Sequence, residues 1–110
     1  MDAQLKKGIL EPLVLALIGE GETYGYELSE RISAIVGISE TALYPVLRRL
    51  EAQACLETRS VEYKGRLRKY YALTAQGRES LANQVRELVE LERVIAVVTR
   101  GGDKNDEGNS

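Results

Sequence analysis

The sequence lacks the side chains from which most metal and redox sites are built. It has no histidine and only one cysteine in 110 residues. A single cysteine excludes an internal disulfide, and a zinc site without histidine has almost no ligands. Cys55 stands between Ala54 and Leu56 in an apolar junction, so we expect a buried structural thiol rather than a redox sensor. We therefore expect neither a metal site nor a cofactor.

Long hydrophobic runs are absent too. The longest, residues 13–18, is far too short to span a bilayer, and the first residues, Met-Asp-Ala-Gln, do not form a signal-peptide pattern. We therefore expect a cytoplasmic protein with no membrane partner. No glycine-rich phosphate loop precedes a helix, and no serine nucleophile elbow occurs. We predict no catalytic residues, and an enzyme or small-molecule carrier is the least favoured class.

Positive charge is scarce overall but concentrated in one segment. The chain carries a net charge of −2, whereas a generic nucleic-acid-binding domain is basic. Residues 64–69 nevertheless contain four cations and no acid. Such a segment could be an edge strand protected against aggregation, but a glycine-tipped cationic hairpin is better suited to lie along a phosphate backbone. The four cations are Lys64, Arg66, Arg68 and Lys69, with Gly65 at the tip.

Apolar residues at helical spacing predict two helices in the first third of the chain. The first covers residues 5–18, but Pro12 interrupts it, so the regular helix either begins near Pro12 or kinks around residues 8–11. The second ends at Gly37, a typical helix stop. Residues 23–26, between the two helices, are expected to form a turn.

A third helix and a hairpin carry the features that point to DNA. Ser39 is a suitable N-cap, after which apolar and polar residues fall on opposite sides of the helix. Strands at residues 56–62 and 68–73 follow, around a glycine-tipped loop. Adjacent charges on a helix are usually only solvated. Beside this hairpin, however, contact of Arg48 and Arg49 with phosphates or base edges becomes the favoured interpretation, with Arg48 pointing more directly outward.

The last helix is predicted from Thr74, a suitable N-cap, to about Thr99, followed by a polar, mobile tail from Gly101. Its apolar stripe is similar to a coiled-coil seam and is broader than packing on one small domain requires. This width indicates a homodimer, which would hold two DNA-reading helices about 34 Å apart, one turn of duplex. The seam consists of Leu81, Val85, Leu88, Leu91, Ile95 and Val98.

These elements predict a mainly α fold with a small β-hairpin, a winged helix-turn-helix followed by a C-terminal dimerisation helix. The predicted limits are 1–73 for the DNA-binding domain, 74–100 for the dimerisation helix and 101–110 for a flexible tail. For Tyr24, core packing is the favoured alternative to a phosphate contact at the start of the second helix. The candidate DNA contacts are Tyr24, Ser39, Thr41, Tyr44, Pro45, Arg48, Arg49, Lys64, Gly65, Arg66, Arg68 and Lys69.

Five segments, in order and with matching gaps, resemble the PadR-like family of bacterial transcription regulators, in particular its short members with one C-terminal helix. The resemblance covers roughly residues 6–98. It implies a winged-helix homodimer that represses transcription, often of its own gene, until a small ligand or stress signal releases it from an inverted-repeat operator. The segments are GILEPLVLALI at 8–18, YGYEL at 24–28, TALYPVLRRLE at 41–51, GRLRKYYALT at 65–74 and TAQGR at 74–78.

The resemblance also implies a cavity between helices one and four across the dimer axis. Leu15, Leu88 and Glu92 are its candidate lining residues for a small hydrophobic effector, and closure by aliphatic packing is the alternative. Two positions depart from the family pattern. Ala54 stands where glycine is common, and a left-handed conformation there would be strained for alanine. Leu67 replaces a frequent proline, which would leave the wing more flexible.

A winged-helix module that binds another protein instead of DNA is the second function class. The net negative charge favours this class slightly, whereas the clustered outward cations favour DNA. The leading prediction is a dimeric repressor whose partner is double-stranded DNA.

Overall fold

Four helices and three strands make up the described part of the chain. The computed structural model describes the backbone of residues 1–109 and the side chains of residues 1–102, and Ser110 lies outside the described residues. The predicted winged-helix architecture is confirmed. The elements are α1 (Ala3–Gly19), β1 (Thr23–Tyr24), α2 (Gly25–Val36), α3 (Glu40–Ala52), β2 (Leu56–Tyr63), β3 (Arg66–Leu73) and α4 (Ala75–Asn109).

Helix α1 begins well before its proline. Asp2 is the N-cap, and its carboxylate accepts a hydrogen bond from the Gln4 backbone N–H at 3.0 Å. This bond satisfies one of the free N–H groups of the first turn and fixes the start of the helix. Pro12 lies inside the helix and is buried, so the alternative that placed the helix start near Pro12 was wrong.

The sheet contains a strand that the sequence did not predict. Its order is β1-β3-β2, all antiparallel, and β1 pairs Thr23 with Tyr71 and Tyr24 with Tyr70. Residues 23–26 were expected to form a turn, but the first two join the sheet and Gly25 already begins α2. A two-residue strand is too short to show an alternating pattern, which explains the error.

The hairpin turn is tighter than predicted. Strands β2 and β3 extend to Tyr63 and Arg66, so the connection is the two residues Lys64-Gly65 rather than the whole 63–67 loop. Both have positive φ, 52° and 80°. This pattern is typical of a type I′ turn, whose twist matches that of the flanking strands and which glycine tolerates better than lysine.

The core lies where α1, α2 and α3 meet the inner face of the sheet. The predicted apolar side of α3 is confirmed, since Leu43, Leu47 and Leu50 are fully buried. Cys55 is 4 % exposed, which confirms the expectation of a buried thiol. The other fully buried large side chains are Val14, Leu15, Ile18, Thr23, Leu28 and Ile32.

The turn between α3 and β2 contains the left-handed residue that the family pattern suggested. Ala54 has φ 62°, a region that costs an alanine about 1–2 kcal/mol. Its carbonyl accepts a hydrogen bond from the Thr74 hydroxyl at 2.6 Å, and the Gln53 carbonyl accepts one from the Gln76 side chain at 2.8 Å. Because Thr74 and Gln76 flank the start of α4, these bonds attach α4 directly to the end of α3.

Two further contacts tighten the attachment of α4. The Thr74 hydroxyl accepts a bond from the Gly77 N–H at 3.0 Å, so its predicted role as N-cap is confirmed. A Cβ added at Gly77 would lie 2.2 Å from the Cys55 carbonyl oxygen, a distance that no side chain could occupy. Gly77 therefore lets the first turn of α4 rest against the α3–β2 turn.

Helix α4 is longer than predicted and its apolar stripe is uncovered. The helix was expected to end near Thr99, but it continues to Asn109. The expected mobility of the tail at 101–110 concerns residues whose side chains, from 103 on, lie outside the described residues. Along the seam the exposed fraction rises from 36 % at Leu88 to 67 % at Val98. No helix among the described residues is both long enough and apolar enough to cross a membrane.

Candidate nucleic-acid interface

A groove separates the hairpin from the first turns of α2 and α3. We call residues 56–73 the wing and this cleft the wing groove. Its volume is about 710 Å³. The groove brings together half of the residues predicted to contact DNA, because the hairpin twists its far end toward the N-terminal ends of both helices. These residues are Tyr24, Tyr44, Lys64, Arg66, Arg68 and Lys69.

The other predicted contacts lie outside the groove lining. Gly65 is in the hairpin turn, and the remaining ones are on α3 or at its N-cap. Thr41, Pro45 and Arg48 are exposed there, as the helical spacing predicted. Ser39 takes the N-cap position, but its hydroxyl makes no capping hydrogen bond. The Ser39 side chain is therefore free for an external partner, which is unusual for a serine at this position.

The two adjacent arginines of α3 have different surroundings. The Arg49 guanidinium lies 3.8 Å from a carboxylate oxygen of Glu11 on α1, whereas Arg48 forms no ion pair with any described residue. A half-exposed ion pair contributes little to stability, but it turns the Arg49 charge toward α1. Of the two arginines, Arg48 has its donors free for a base edge or a phosphate.

Tyr44 links the start of α2 to α3. A Cβ at Gly25 would lie 3.0 Å from the Tyr44 hydroxyl oxygen and 3.2 Å from its ring. The absence of a side chain at Gly25 therefore lets Tyr44 approach the start of α2 closely. Tyr44 is half-buried, so part of its surface is already used for packing and only the remainder faces the groove.

The wing cations divide into free and engaged groups. Lys64 and Arg66, on either side of Gly65, are exposed, and neither forms an ion pair with a described residue. The Lys64 ammonium lies over the Tyr63 ring, 5.3 Å from its centre, a contact that leaves its charge unneutralised. Lys69 instead lies 3.1 Å from the Glu51 carboxylate on α3. The free positive charge of the wing is thus concentrated at its tip.

Arg68 occupies a position that the sequence did not reveal. Its guanidinium carbon lies 4.1 Å from the ring centre of Tyr24 and 4.0 Å from that of Tyr63. Tyr24 also meets Tyr70 edge to face at 5.5 Å between ring centres. The distances of the Arg68 guanidinium from the Tyr24 and Tyr63 rings are both well within the range of cation–π attraction. Neither partner of Arg68 could be found from spacing alone, because both depend on the strand register.

A second unpredicted pair lies on the same outer face of the sheet. Arg59 donates two hydrogen bonds to the Glu22 carboxylate, at 2.7 and 2.5 Å. The hydrogen bonding from Arg59 lowers the pKa of Glu22. This bidentate pair fastens β2 to the segment before β1. Its partners are 37 positions apart in the sequence, and nothing in the sequence indicated the pairing.

The proposed effector residues are not brought together. Leu15 is completely buried in the core of the single chain, away from the α4 side of α1. Its neighbours on that side, Leu13 and Ala16, form instead an apolar groove of about 280 Å³ with Leu88. Glu92 is exposed on α4. Leu15 lies on the face of α1 that turns inward in the single chain, and its assignment to a cavity across the dimer axis stays a prediction.

Comparisons with known proteins agree with this geometry. A family described as "Transcriptional regulator PadR-like family" matches residues 14–83. A transcriptional regulator of Mycobacterium tuberculosis is 33 % identical over 97 residues, which cover 87 % of each chain. The crystal structure of a PadR-like transcriptional regulator from Bacillus cereus superposes with a TM-score of 0.78 at 30 % identity, over 87 % of this chain and 96 % of that one.

A further solved structure is that of Bacillus subtilis PadR in complex with operator DNA. It superposes with a TM-score of 0.65 at 22 % identity, over 70 % of this chain and 46 % of that chain. At this identity the likeness concerns the fold alone.

Proposed function

The chain belongs to the PadR-like family of transcriptional regulators, and from this membership we propose that it represses transcription as a homodimer bound to an inverted-repeat operator. The observation that carries the proposal is the presence of unpaired cations on two different surfaces, the outer face of α3 and the wing tip. Arg48 extends from α3 without an ion-pair partner among the described residues, and Lys64 and Arg66 lie exposed at the wing tip. Helix α3 would enter the major groove, while the wing would follow the phosphate backbone.

The likeness to an operator-bound PadR supports the DNA partner. That protein has the same fold and is bound to operator DNA. The acidic net charge of the chain is compatible with this partner, because Lys64 and Arg66 have no close acids and the local field governs the contact.

The uncovered face of α4 supports the homodimer. Helix α4 has 35 residues, a length of about 52 Å. Its large apolar side chains from Val85 to Val98 remain between one third and two thirds exposed in a single chain, whereas Leu81 packs against the core. A continuous apolar stripe of this kind marks an interaction surface. Pairing two copies along Leu81, Val85, Leu88, Leu91, Ile95 and Val98 would cover it and hold two α3 helices about one duplex turn apart.

The same arrangement supports the division of the chain into a DNA-binding domain at 1–73 and a dimerisation helix at 74–100. A small hydrophobic effector would bind in the apolar groove beside Leu88, between α1 and α4. Release from the operator would follow if such binding changed the angle between the two α4 helices.

The test is the binding of the purified protein to its own promoter region. Fluorescence anisotropy with this duplex and a scrambled duplex of equal composition should give saturable, salt-sensitive binding that is tighter for the promoter. Equal affinity for both duplexes would contradict the proposal and favour a protein-binding module. Sedimentation velocity at micromolar concentration should give a dimer, and a strictly monomeric protein would contradict the α4 pairing.

Arg48→Ala tests the assignment of the reading helix. The substitution should lower the discrimination between promoter and scrambled DNA by about 1–3 kcal/mol, as for the loss of a bidentate base contact. Arg49→Ala is the matched control, because the Arg49 charge is already directed at Glu11, and it should cost less discrimination. If the two variants discriminate equally, Arg48 is not the reading residue.

A further inference from the structure

The distal half of the wing has little to hold it in place. Strand β1 pairs only with Tyr70 and Tyr71, so residues 60–69 form a two-stranded ribbon beyond the edge of the third strand. An isolated two-stranded hairpin is marginally stable in water. The Lys69–Glu51 ion pair that connects this ribbon to α3 is exposed and contributes little. Some other contact must define where the wing tip lies.

Arg68 forms a bridge between the ribbon and the body of the domain. Its guanidinium lies between the rings of Tyr63, at the far end of β2, and Tyr24, the residue immediately before α2. Both ring faces can attract the planar cation at the same time, an arrangement that arginine accommodates better than lysine. We call Tyr24, Arg68 and Tyr63 the wing clasp.

The wing clasp continues into the reading helix. Tyr24 is followed by Gly25, and the Tyr44 side chain on α3 fills the space that a Cβ at Gly25 would need. A contiguous series of contacts therefore runs from the wing end through Arg68 and Tyr24 to α3. This series fixes the distance between the two surfaces that would meet DNA together.

We propose that Arg68 is a positioning residue, which orients the wing relative to α3 by stacking between Tyr24 and Tyr63, rather than a phosphate contact. The inference rests on the proposed function and reassigns a residue that its charge alone would place among the DNA contacts. Lys64 and Arg66, which are exposed at the tip, make the phosphate contacts. Arg68 prepares the wing for them before DNA arrives, so that less conformational freedom is lost on binding.

Charge-preserving substitution separates the two roles. Arg68→Lys keeps the positive charge but cannot stack on two rings, so promoter affinity should fall by about tenfold while the slope of log affinity against log salt stays unchanged. Tyr63→Leu, which removes no charge, should cause a similar loss, and Tyr63→Phe should retain wild-type affinity. The control Arg78→Lys, at an exposed position on α4 outside the wing groove, should also bind like the wild type. Thermal unfolding should be the same for all four variants within a few degrees, because none of the substituted side chains belongs to the buried core.

A double-mutant cycle and a measurement without DNA complete the test. The Arg68→Lys/Tyr63→Leu protein should bind no more weakly than either single variant, since each substitution already removes the same contact between Arg68 and Tyr63. Amide hydrogen exchange of residues 60–69 should be faster in Arg68→Lys than in the wild type, with the core unchanged. Additive losses of affinity in the double variant, or wild-type affinity and exchange in Arg68→Lys, would overturn the proposal.

The two proposals fail in distinguishable ways. If the wild-type protein does not prefer its promoter, the proposed function fails, and hydrogen exchange alone decides whether the wing clasp orders the wing. If the wild type binds its promoter and Arg68→Lys binds equally well, the function stands and Arg68 is only a charge on the wing.

Discussion

Removing both cations at the wing tip should flatten the salt dependence of DNA binding. In the proposed dimer, Lys64→Gln/Arg66→Gln removes two charges from each of two wings. Each phosphate contact contributes about 0.9 to the slope of log affinity against log salt, so four contacts amount to about 3.6. Between 50 and 200 mM salt the wild type should therefore lose roughly 100-fold more affinity than the variant. The loss should be equal for promoter and scrambled DNA, because phosphates carry no sequence information.

Fluorescence anisotropy at several salt concentrations measures this slope directly. The matched control is Lys7→Gln/Arg78→Gln, which removes the same charge from exposed positions on α1 and α4, away from the wing groove. The control should keep the wild-type slope. A wing variant with an unchanged slope would refute the assignment of Lys64 and Arg66 to the phosphate backbone, even if its affinity were lower.

Three further predictions concern stability, each measured by urea unfolding. Ala54→Gly should stabilise the protein by about 0.5–1 kcal/mol, since relief of the left-handed strain exceeds the added freedom of the unfolded chain. The control Ala82→Gly, at an exposed position inside α4, should instead destabilise it by a similar amount. Gly77→Ala should lower the free energy of unfolding by about 2 kcal/mol or more, because its Cβ would collide with the Cys55 carbonyl. Gly101→Ala, with open space around it, should not destabilise the protein. Burial raises the pKa of Tyr71, so the folded protein keeps this phenol neutral after the unfolded chain has begun to ionise; stability should therefore fall as the pH rises above about 10. Tyr71→Phe should weaken this alkaline loss, and an identical pH profile would contradict it.

The helices were predictable because their signals are local. Apolar spacing located α1, α2 and α3, and the stops and caps at Gly37 and Thr74 were correct because each depends on neighbouring residues. The exposed side of α3 followed from the same spacing. The strained Ala54 was suggested by the family pattern, not by any property of the alanine itself.

The contacts between distant segments were not predictable. Strand β1 has only two residues, and it is a strand only because it pairs with β3. The position of Arg68 depends on that register, which brings Tyr24 close to a residue 44 positions later in the sequence. The partners of Arg49 and Arg59 likewise lie on other elements. A sequence shows where charge is available, but only the fold shows which charges already have a partner.

The hydrogen bonds that join α4 to the end of α3 have a consequence for operator choice. Because the Gln53 and Ala54 carbonyls are held by Gln76 and Thr74, α4 cannot tilt without carrying α3 along. In a dimer joined through α4, the crossing angle of the paired helices would then set the distance between the two α3 helices. This distance would determine the spacing of the two half-sites that the dimer binds. Single substitutions at the seam could thus shift the preferred spacer length without touching any residue that contacts a base.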